Sequence, residues 1–574
     1  MLGAPMVSPL FPEPPPAVPA TPLSEVDSLV ERIAAKKDVW VRTGIDRRIE
    51  LLHQCIETTT ASAKAWVDAA ARAKGIPADS PQTGEEWLGG PVTTVRNIRL
   101  VIDALEAGGA PTPPSIKTRP DGQAVARVFP RNTLDKVMMG GVTAEVWIEP
   151  GKAPSQGHVY AEKKAGRFAS GKVSLVLGAG NVASIGPMDA IYKLFVEDEV
   201  VVLKTNPVNA YLGEHWVRAM KPLIDEGVLG IVHGGAEVGA HLTKHAKIDT
   251  IHMTGSDRTH DAIVWGTDPV EAARRKAANE PLNTKHMSSE LGAVTPVIVV
   301  PGPWSDDDIA FQARHVASMV ANNGSFNCNA AKVLVVAKGW DKRDAFVSAV
   351  RGALSKMTPR KAYYPGAAAR YQGFLDHYPD AQKLGEQTAD IVPWTILPKV
   401  PAEKGEYALT NEAFCGVLAI TDIDASDART FLEKVVPFAN DVVWGTLSCV
   451  VMVHPETEKA YGAEVDQALA DLRYGGIAVN CFAGLIYGLV VATWGAFPGH
   501  TAQDIQSGRG VVHNAYFFDH PQKSIVRAPF RIAPTPAWFS DHKTQDALGE
   551  ALFAMEAKPG WLRLPKLLAA ALRG

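Results

Sequence analysis

The chain has 574 residues, 46% hydrophobic and 21% charged, and its 58 basic and 62 acidic side chains leave a formal net charge of -4. This is the composition of an ordinary globular protein, long enough for roughly three to four domain-sized units. The near balance of charge excludes recruitment of nucleic acid or an anionic membrane by bulk electrostatics. Five cysteines, Cys55, Cys328, Cys415, Cys449 and Cys481, are scattered without a CxxC pair. That argues against a disulfide framework or a cysteine zinc knuckle and favours a reducing compartment.

The N-terminus lacks a basic stretch followed by an apolar one, so no secretory signal is expected. Residues 1–22 carry too much proline to pack and are expected to be a flexible lead-in. Residues 23–122 read as a helical part. Ser24 is positioned to cap a first helix and Asp46 a second, which continues through Ile49, Leu52, Ile56 and Ala65 toward Lys74 and stops at Gly75. Proline and glycine crowd 105–122, as in a connector. Residues 123–150 hold two strands, 125–128 and 144–148.

From about 172 short apolar runs alternate with helical spacing. Strands are predicted at 173–177, 199–203, 230–233 and 250–253, and helices at 188–196, 211–224 and 238–245. Strands of about five residues between helices of about ten imply right-handed crossovers and a parallel sheet, which binds ligands beyond the carboxyl ends of its strands. This places a cofactor-binding unit at 151–289. A second alternating segment, with strands at 297–300 and 332–336, spans 290–505. The remainder, 506–574, holds a late edge strand at 524–531 and a tail whose leucines at 562–572 suit a docked surface helix. The longest apolar run, 482–497, is about 16 residues broken by glycines, short of the ~20 needed to span a bilayer. A soluble, cytoplasmic protein without an integral membrane segment is expected.

The first strand is followed by Gly178-Ala-Gly180-Asn-Val-Ala183, a GxGxxA between strand and helix that lets a pyrophosphate approach a helix N-terminus. An ordinary dinucleotide fold would end the next strand in Asp or Glu, but this one ends in Lys204. That weighs against a conventional alcohol or hydroxy-acid dehydrogenase. Thr254-Gly255-Ser256 offers backbone N–H groups and a hydroxyl to a phosphate, or is a plain capping turn. Downstream, Ser288-Ser-Glu290-Leu-Gly292 and Asn323-Gly-Ser-Phe-Asn-Cys328 suit a general base and a thiolate nucleophile. The simpler alternatives are a solvated carboxylate and a small buried thiol. His241 and His245, four apart, have the spacing of a zinc pair, but no third ligand accompanies them, and no metal is expected.

Together these segments resemble the aldehyde dehydrogenase superfamily over roughly 25–535, most strongly over 173–328. Asn181 precedes Lys204 by 23 positions, the interval between that family's oxyanion asparagine and its cofactor lysine. Glu290-Leu-Gly292 with Pro296 is similar to the general-base motif, and Asn323-Gly324 up to Cys328 to the nucleophile motif. Glu412-Ala-Phe414-Cys-Gly416-Val417 resembles Glu-x-Phe-Gly-Pro-Val, and Asn480 and Ser507-Gly508 match late elements. The resemblance implies an α/β fold: a Rossmann-type cofactor domain, an α/β catalytic domain and a small bridging β-strand region, assembled as a homodimer or homotetramer. It implies Cys328 as nucleophile, Glu290 as base and Asn181 as oxyanion donor. NAD or NADP would be held by Lys204, Gly255, Ser256, Leu291, Glu412 and Phe414, and a small-molecule aldehyde would be the substrate. Phe482, Tyr487, Leu489, Val490 and Trp494 fall where the family places its substrate entrance; they would line an apolar pocket or simply belong to the core.

The chain departs from the family at several points. Ala179-Gly180 replaces Pro-Trp, which should leave more room, or more motion, around Asn181. Pro207 replaces an acidic residue that would repel a 2′-phosphate. His260 stands for a glycine, about a dozen residues are inserted around 268–282, Ser325 stands for glutamine, and Lys332 for arginine. The competing readings are a coenzyme A-acylating enzyme, against which Glu290 argues, and a non-catalytic dinucleotide-binding homologue.

Overall fold

The computed structural model describes residues 10–574. Six strands form one sheet in the order Gly508–Arg509, His286–Leu291, Thr250–Gly255, Val173–Leu177, Val200–Lys204, Leu229–Val232, all parallel except the first. The apolar, β-branched run Val200-Val-Val-Leu203 is buried throughout because helices cover both faces of such a sheet. Ile185–Phe195 and Ala236–Lys244 are two of the connecting helices. The expected helix over 211–224 is interrupted: a 3₁₀ turn, Pro207–Leu212, leads into Gly213–Ala219, and Pro222 starts a further short helix, Lys221–Asp225. The register pairs Leu177 with Lys204 and with Met253, so the informative loops leave the same edge of the sheet. The inserted stretch forms the surface helix Pro269–Ala278, capped by Asp268.

Eleven strands form the second sheet. Its parallel centre comprises Gly476–Val479, Ser448–Met452, Pro296–Val299, Val333–Ala337, Val417–Ile423 and Thr395–Leu397. The strands expected as a bridging unit, Ala124–Phe129 and Thr143–Ile148, are continuous with this sheet through Pro521–Arg527. That last strand is therefore not an edge. It pairs in parallel with Gly476–Val479 on one side and antiparallel with Thr143–Ile148 on the other. Within it, the buried Lys523 ammonium donates to the carbonyls of Leu469, Ala470 and Leu472.

The N-terminal helices pack on the first sheet. The 29-residue helix Ile45–Ala73 starts from Gly44, and Asp46 lies inside its first turn, where a negative charge opposes the positive end of the helix dipole. It ends at Gly75 with φ +71°, the left-handed stop that glycine accommodates. The first helix, Leu23–Ala34, likewise begins at Pro22 without a side-chain cap. Of the proline-rich lead-in, residues 1–9 lie outside the described residues. At the end of residues 10–22, the Thr21 N–H donates to the His233 carbonyl (3.0 Å), and the His233 N–H returns to Thr21 Oγ1 (2.9 Å). At the other end, Leu564–Ala571 packs through Leu567 and Ala570 on Leu548, Ala551 and Met555. The apolar run 482–497 is a buried turn of helix and a short strand. Among the described residues no helix is long and apolar enough to cross a membrane.

Candidate active site

A cleft of about 1060 Å³ runs between the carboxyl edge of the six-stranded sheet and the loops of the second sheet. Asn181, Lys204, Gly255, Ser256, Glu290, Leu291, Cys328, Glu412 and Phe414 all line it. The nine residues expected as catalytic or cofactor-binding thus line one cleft, although they span more than 200 positions of the chain.

Glu290 and Leu291 end the strand His286–Leu291 and pair with Thr254 and Gly255. Ser507 and Gly508 lock that strand from its other edge. Ser507 Oγ donates to the Gly292 carbonyl (2.9 Å) and accepts from the Thr446 N–H (2.8 Å), and the Leu291 N–H donates to the Ser507 carbonyl (2.8 Å). Gly508 has φ +112°, and a Cβ there would meet the Ser289 carbonyl oxygen at 2.1 Å, so glycine alone fits. Asn480, by contrast, spends both ends of its amide on the Val453 backbone and serves the scaffold.

The nucleophile loop is tightly wound. Asn323, Gly324 and Ser325 have φ of +52°, +65° and +69° in succession. Lys332 closes this turn, its Nζ donating to the Ser325 carbonyl (2.9 Å) and to Ser325 Oγ (3.3 Å). Cys328 follows, with its carbonyl bonded to Thr295 Oγ1 (3.1 Å) and its thiol facing Glu290. Burial, then the Glu290 and Glu412 carboxylates, push the thiol well above its ordinary range. The other four cysteines are buried, whereas Cys328 is partly exposed. Glu290 itself is pushed up to about 8, chiefly by burial and then by Asp189; the Cys328 thiol and the Trp494 indole work in the opposite direction.

Asn181 Nδ2 donates to the Phe326 carbonyl (3.0 Å), which leaves its second hydrogen for the cleft. The expected extra room beside it is absent. A Cβ on Gly180 would lie 2.8 Å from both Asn206 Oδ1 and Val208 Cβ, so the loss of bulky side chains has been filled by the turn after Lys204. Lys204 is buried, has no carboxylate partner among the described residues, and is pushed down to about 8 by burial. Ser256 is exposed and caps the helix Asp257–Val264, its Oγ accepting from the Thr259 N–H (3.2 Å). It is a capping turn whose helix N-terminus also faces the cleft. Glu412 packs its carboxylate against Gly292, where a Cβ would meet Oε2 at 2.1 Å. Burial raises it to about 7, while Lys332 and the Ala293 N–H favour its charge. Phe414, at φ +41°, stands edge-on to Tyr364 (4.9 Å) and Phe326 (5.9 Å).

The proposed apolar entrance is not where the sequence suggested. Phe482, Leu489, Val490 and Trp494 are core residues, and none of the five lines the cleft. Tyr487 spends its hydroxyl on Ser184 (2.8 Å). His241 and His245 share Asp27 (2.5 and 3.6 Å), and no cluster suited to a metal occurs among the described residues. Sequence reasoning missed Asp189, a buried carboxylate that accepts from Thr254 Oγ1 (3.0 Å) and raises Glu290. The available signal was an acid inside the apolar helical run Ile-Gly-Pro-Met-Asp-Ala-Ile.

The aldehyde dehydrogenase family model matches residues 180–368, which include both the Asn181 and the Cys328 loops. N-succinylglutamate 5-semialdehyde dehydrogenase of Klebsiella pneumoniae is 26% identical over 319 residues, covering 53% of this chain and 59% of that protein. 2-hydroxymuconic semialdehyde dehydrogenase of a Pseudomonas species is 24% identical over 441 residues, 72% of this chain and 77% of that protein. Among solved structures, an aldehyde dehydrogenase of Mycobacterium tuberculosis complexed with NAD+ superposes with a TM-score of 0.60 at 19% identity, covering 90% of this chain and 92% of that one. A glyceraldehyde-3-phosphate dehydrogenase of Methanocaldococcus jannaschii complexed with NADP gives 0.59 at 14%, covering 89% and 96%. The chain thus matches the aldehyde dehydrogenase family model over residues 180–368 and shares the fold of solved aldehyde dehydrogenases.

Proposed function

We propose that the protein oxidises an aldehyde to a carboxylic acid with NAD or NADP as hydride acceptor. The observation that carries this reading is the convergence of the Cys328 thiol, the Glu290 carboxylate and the Asn181 amide in one cleft that continues to Lys204 and Ser256. The cleft fits a dinucleotide. Among the described residues Lys204 is a buried cation without an anionic partner, and Ser256 presents a hydroxyl at a helix N-terminus, where phosphate is favoured. Lys204, Gly255, Ser256, Leu291, Glu412 and Phe414 would hold it. When bound, a nicotinamide dinucleotide supplies the hydride acceptor.

Glu290 takes the proton of the Cys328 thiol it faces. The thiolate attacks the aldehyde carbon, and the developing oxyanion is held by the free N–H of Asn181 and the backbone N–H of Cys328. Each such donor is worth roughly 3 kcal/mol where one has been removed. Departure of hydride from that carbon leaves a thioester on Cys328. Glu290, having released its proton to solvent, deprotonates the water that hydrolyses the thioester, and the acid leaves as the thiol is restored. Both roles need Glu290 ionised. The expected homodimer or homotetramer belongs to the same reading.

The test is an absorbance screen at the reduced-cofactor band with both cofactors and a graded aldehyde panel, without coenzyme A. Aldehyde-dependent reduction that yields free acid, and that Cys328→Ala abolishes, supports the reading. Reduction that appears only with coenzyme A would establish the acylating alternative, and an inert wild type that binds cofactor the non-catalytic one.

A further inference from the structure

Asn181 and Cys328 sit on loops of different sheets, so their relative placement has to be set by something outside both. Asn323 is the joint. Its Nδ2 donates to the backbone carbonyls of Asn181 (3.1 Å) and Phe326 (3.2 Å), the latter also the acceptor of the Asn181 amide. Its Oδ1 accepts from Lys74 Nζ and from the Tyr363 hydroxyl, both at 3.0 Å. Lys74 donates in addition to the Asn181 carbonyl (2.9 Å) and pairs with Glu86 (2.8 Å). From behind, Glu85 accepts from the Asn323 backbone N–H (3.1 Å) and pairs with Arg360 (2.9 Å).

Two adjacent ion pairs are therefore buried beneath the site: Lys74, Glu85, Glu86 and Arg360 are 4%, 6%, 2% and 7% exposed. Ion pairs at that depth contribute little net stability, because desolvation offsets their attraction. What they do supply is direction. A charged donor on the Asn181 carbonyl fixes the backbone from which the Asn181 amide projects, and a carboxylate on the Asn323 N–H holds a residue with left-handed φ. None of these four side chains lines the cleft.

We propose that Lys74 and Glu85 are positioning residues: Lys74 on the C-terminal end of Ile45–Ala73 and Glu85 in the helix Thr83–Trp87 set the Asn181 amide against Cys328 through Asn323. This rests on the aldehyde-oxidising reading above. Cys328 alkylation by iodoacetamide builds no oxyanion and has no use for the Asn181 amide, whereas aldehyde addition and hydride departure do. The two reactions therefore separate positioning from general damage.

The experiment compares wild type, Lys74→Met, Lys74→Arg, Glu85→Gln and the double variant Lys74→Met/Glu86→Leu by stopped-flow NAD(P)H formation and by iodoacetamide alkylation. The double variant leaves no unpaired buried charge and keeps the test alive if Lys74→Met fails to fold. The expected result is a burst rate lowered about tenfold or more in the folded Met, Gln and double variants, since small misplacements at a reacting centre are costly. Alkylation should stay within about twofold of wild type, and Lys74→Arg should recover part of the burst. An unchanged burst in the folded double variant overturns the proposal, as does alkylation that slows in step with the burst. A wild type that forms no NAD(P)H from any aldehyde overturns the reading itself, and this inference with it.

Discussion

Ionisation of Glu290 should control turnover near neutral pH. Burial and Asp189 raise this carboxyl to about 8 from an ordinary value of 4.5, so about a tenth of it is ionised at pH 7 and half at pH 8. Turnover that needs the carboxylate should therefore climb about tenfold from pH 7 to a plateau above pH 9. Stability runs the other way. Above pH 4.5 the unfolded chain releases a proton that folded Glu290 keeps, so the folded state loses up to about 1.4 kcal/mol per pH unit until Glu290 itself ionises near 8. Glu290→Gln removes both effects. It should lower steady-state turnover by about 10²–10⁴-fold, leave an NAD(P)H burst that is slower, because the thiol must lose its proton to solvent, but still stoichiometric as the thioester accumulates, and flatten the fall in stability between pH 5 and 8 relative to wild type. The assays are a pH–rate profile with burst kinetics and denaturant melts across the same range. A Gln variant that keeps an inflection near pH 8 and turns over within a few-fold of wild type would refute the reasoning.

Lys204→Ala should raise the cofactor KM by about tenfold or more through loss of a charged donor and leave iodoacetamide alkylation of Cys328 unchanged. In the wild type, cofactor binding should weaken above about pH 8 as the Lys204 ammonium deprotonates, which titration by fluorescence quenching would show. Ser507→Ala removes bonds to the Gly292 carbonyl and the Thr446 N–H; it should cost about 1–3 kcal/mol in denaturant melts and lower kcat more than it raises cofactor KM. Gly239 lies against the Lys204 side chain, and Asn206 and Pro207 line the cleft at the turn after it, so NADP should be used with kcat/KM at least comparable to NAD. A strong NAD preference in paired kinetics would contradict that.

The parts of the fold written in single buried runs were readable. Val173-Ser-Leu-Val-Leu177 and Val200-Val-Val-Leu203 are buried on both faces, so composition alone marks them as parallel strands. Their carboxyl ends then place Asn181, Lys204 and Ser256, and the resemblance supplied their partners Glu290 and Cys328. Strand order was not readable, because pairing depends on residues distant in the chain. Pro521–Arg527 is internal rather than an edge because its partners, Gly476–Val479 and Thr143–Ile148, lie far from it in the chain. Phe482 and Trp494 show the same limit from the other side. An apolar residue near a site reads identically whether it lines a pocket or seals a core, and here it seals the core. At the end of the proline-rich segment Thr21 is held by its own N–H on the His233 carbonyl and by its Oγ1 on the His233 N–H, contacts that composition does not signal. Asp189 and Lys74 were silent because a charge inside a helix is ordinary until its burial is known.

The central claim is that Cys328 carries the acyl group. Its most direct measurement is mass spectrometry of peptides from Glu290→Gln protein quenched in acid after mixing with a reactive aldehyde and oxidised cofactor. An acyl adduct is expected on the peptide containing Cys328, formed only with cofactor present and absent from a Glu290→Gln/Cys328→Ala control. Cofactor reduction without that adduct, or an adduct that persists when Cys328 is replaced, would contradict it.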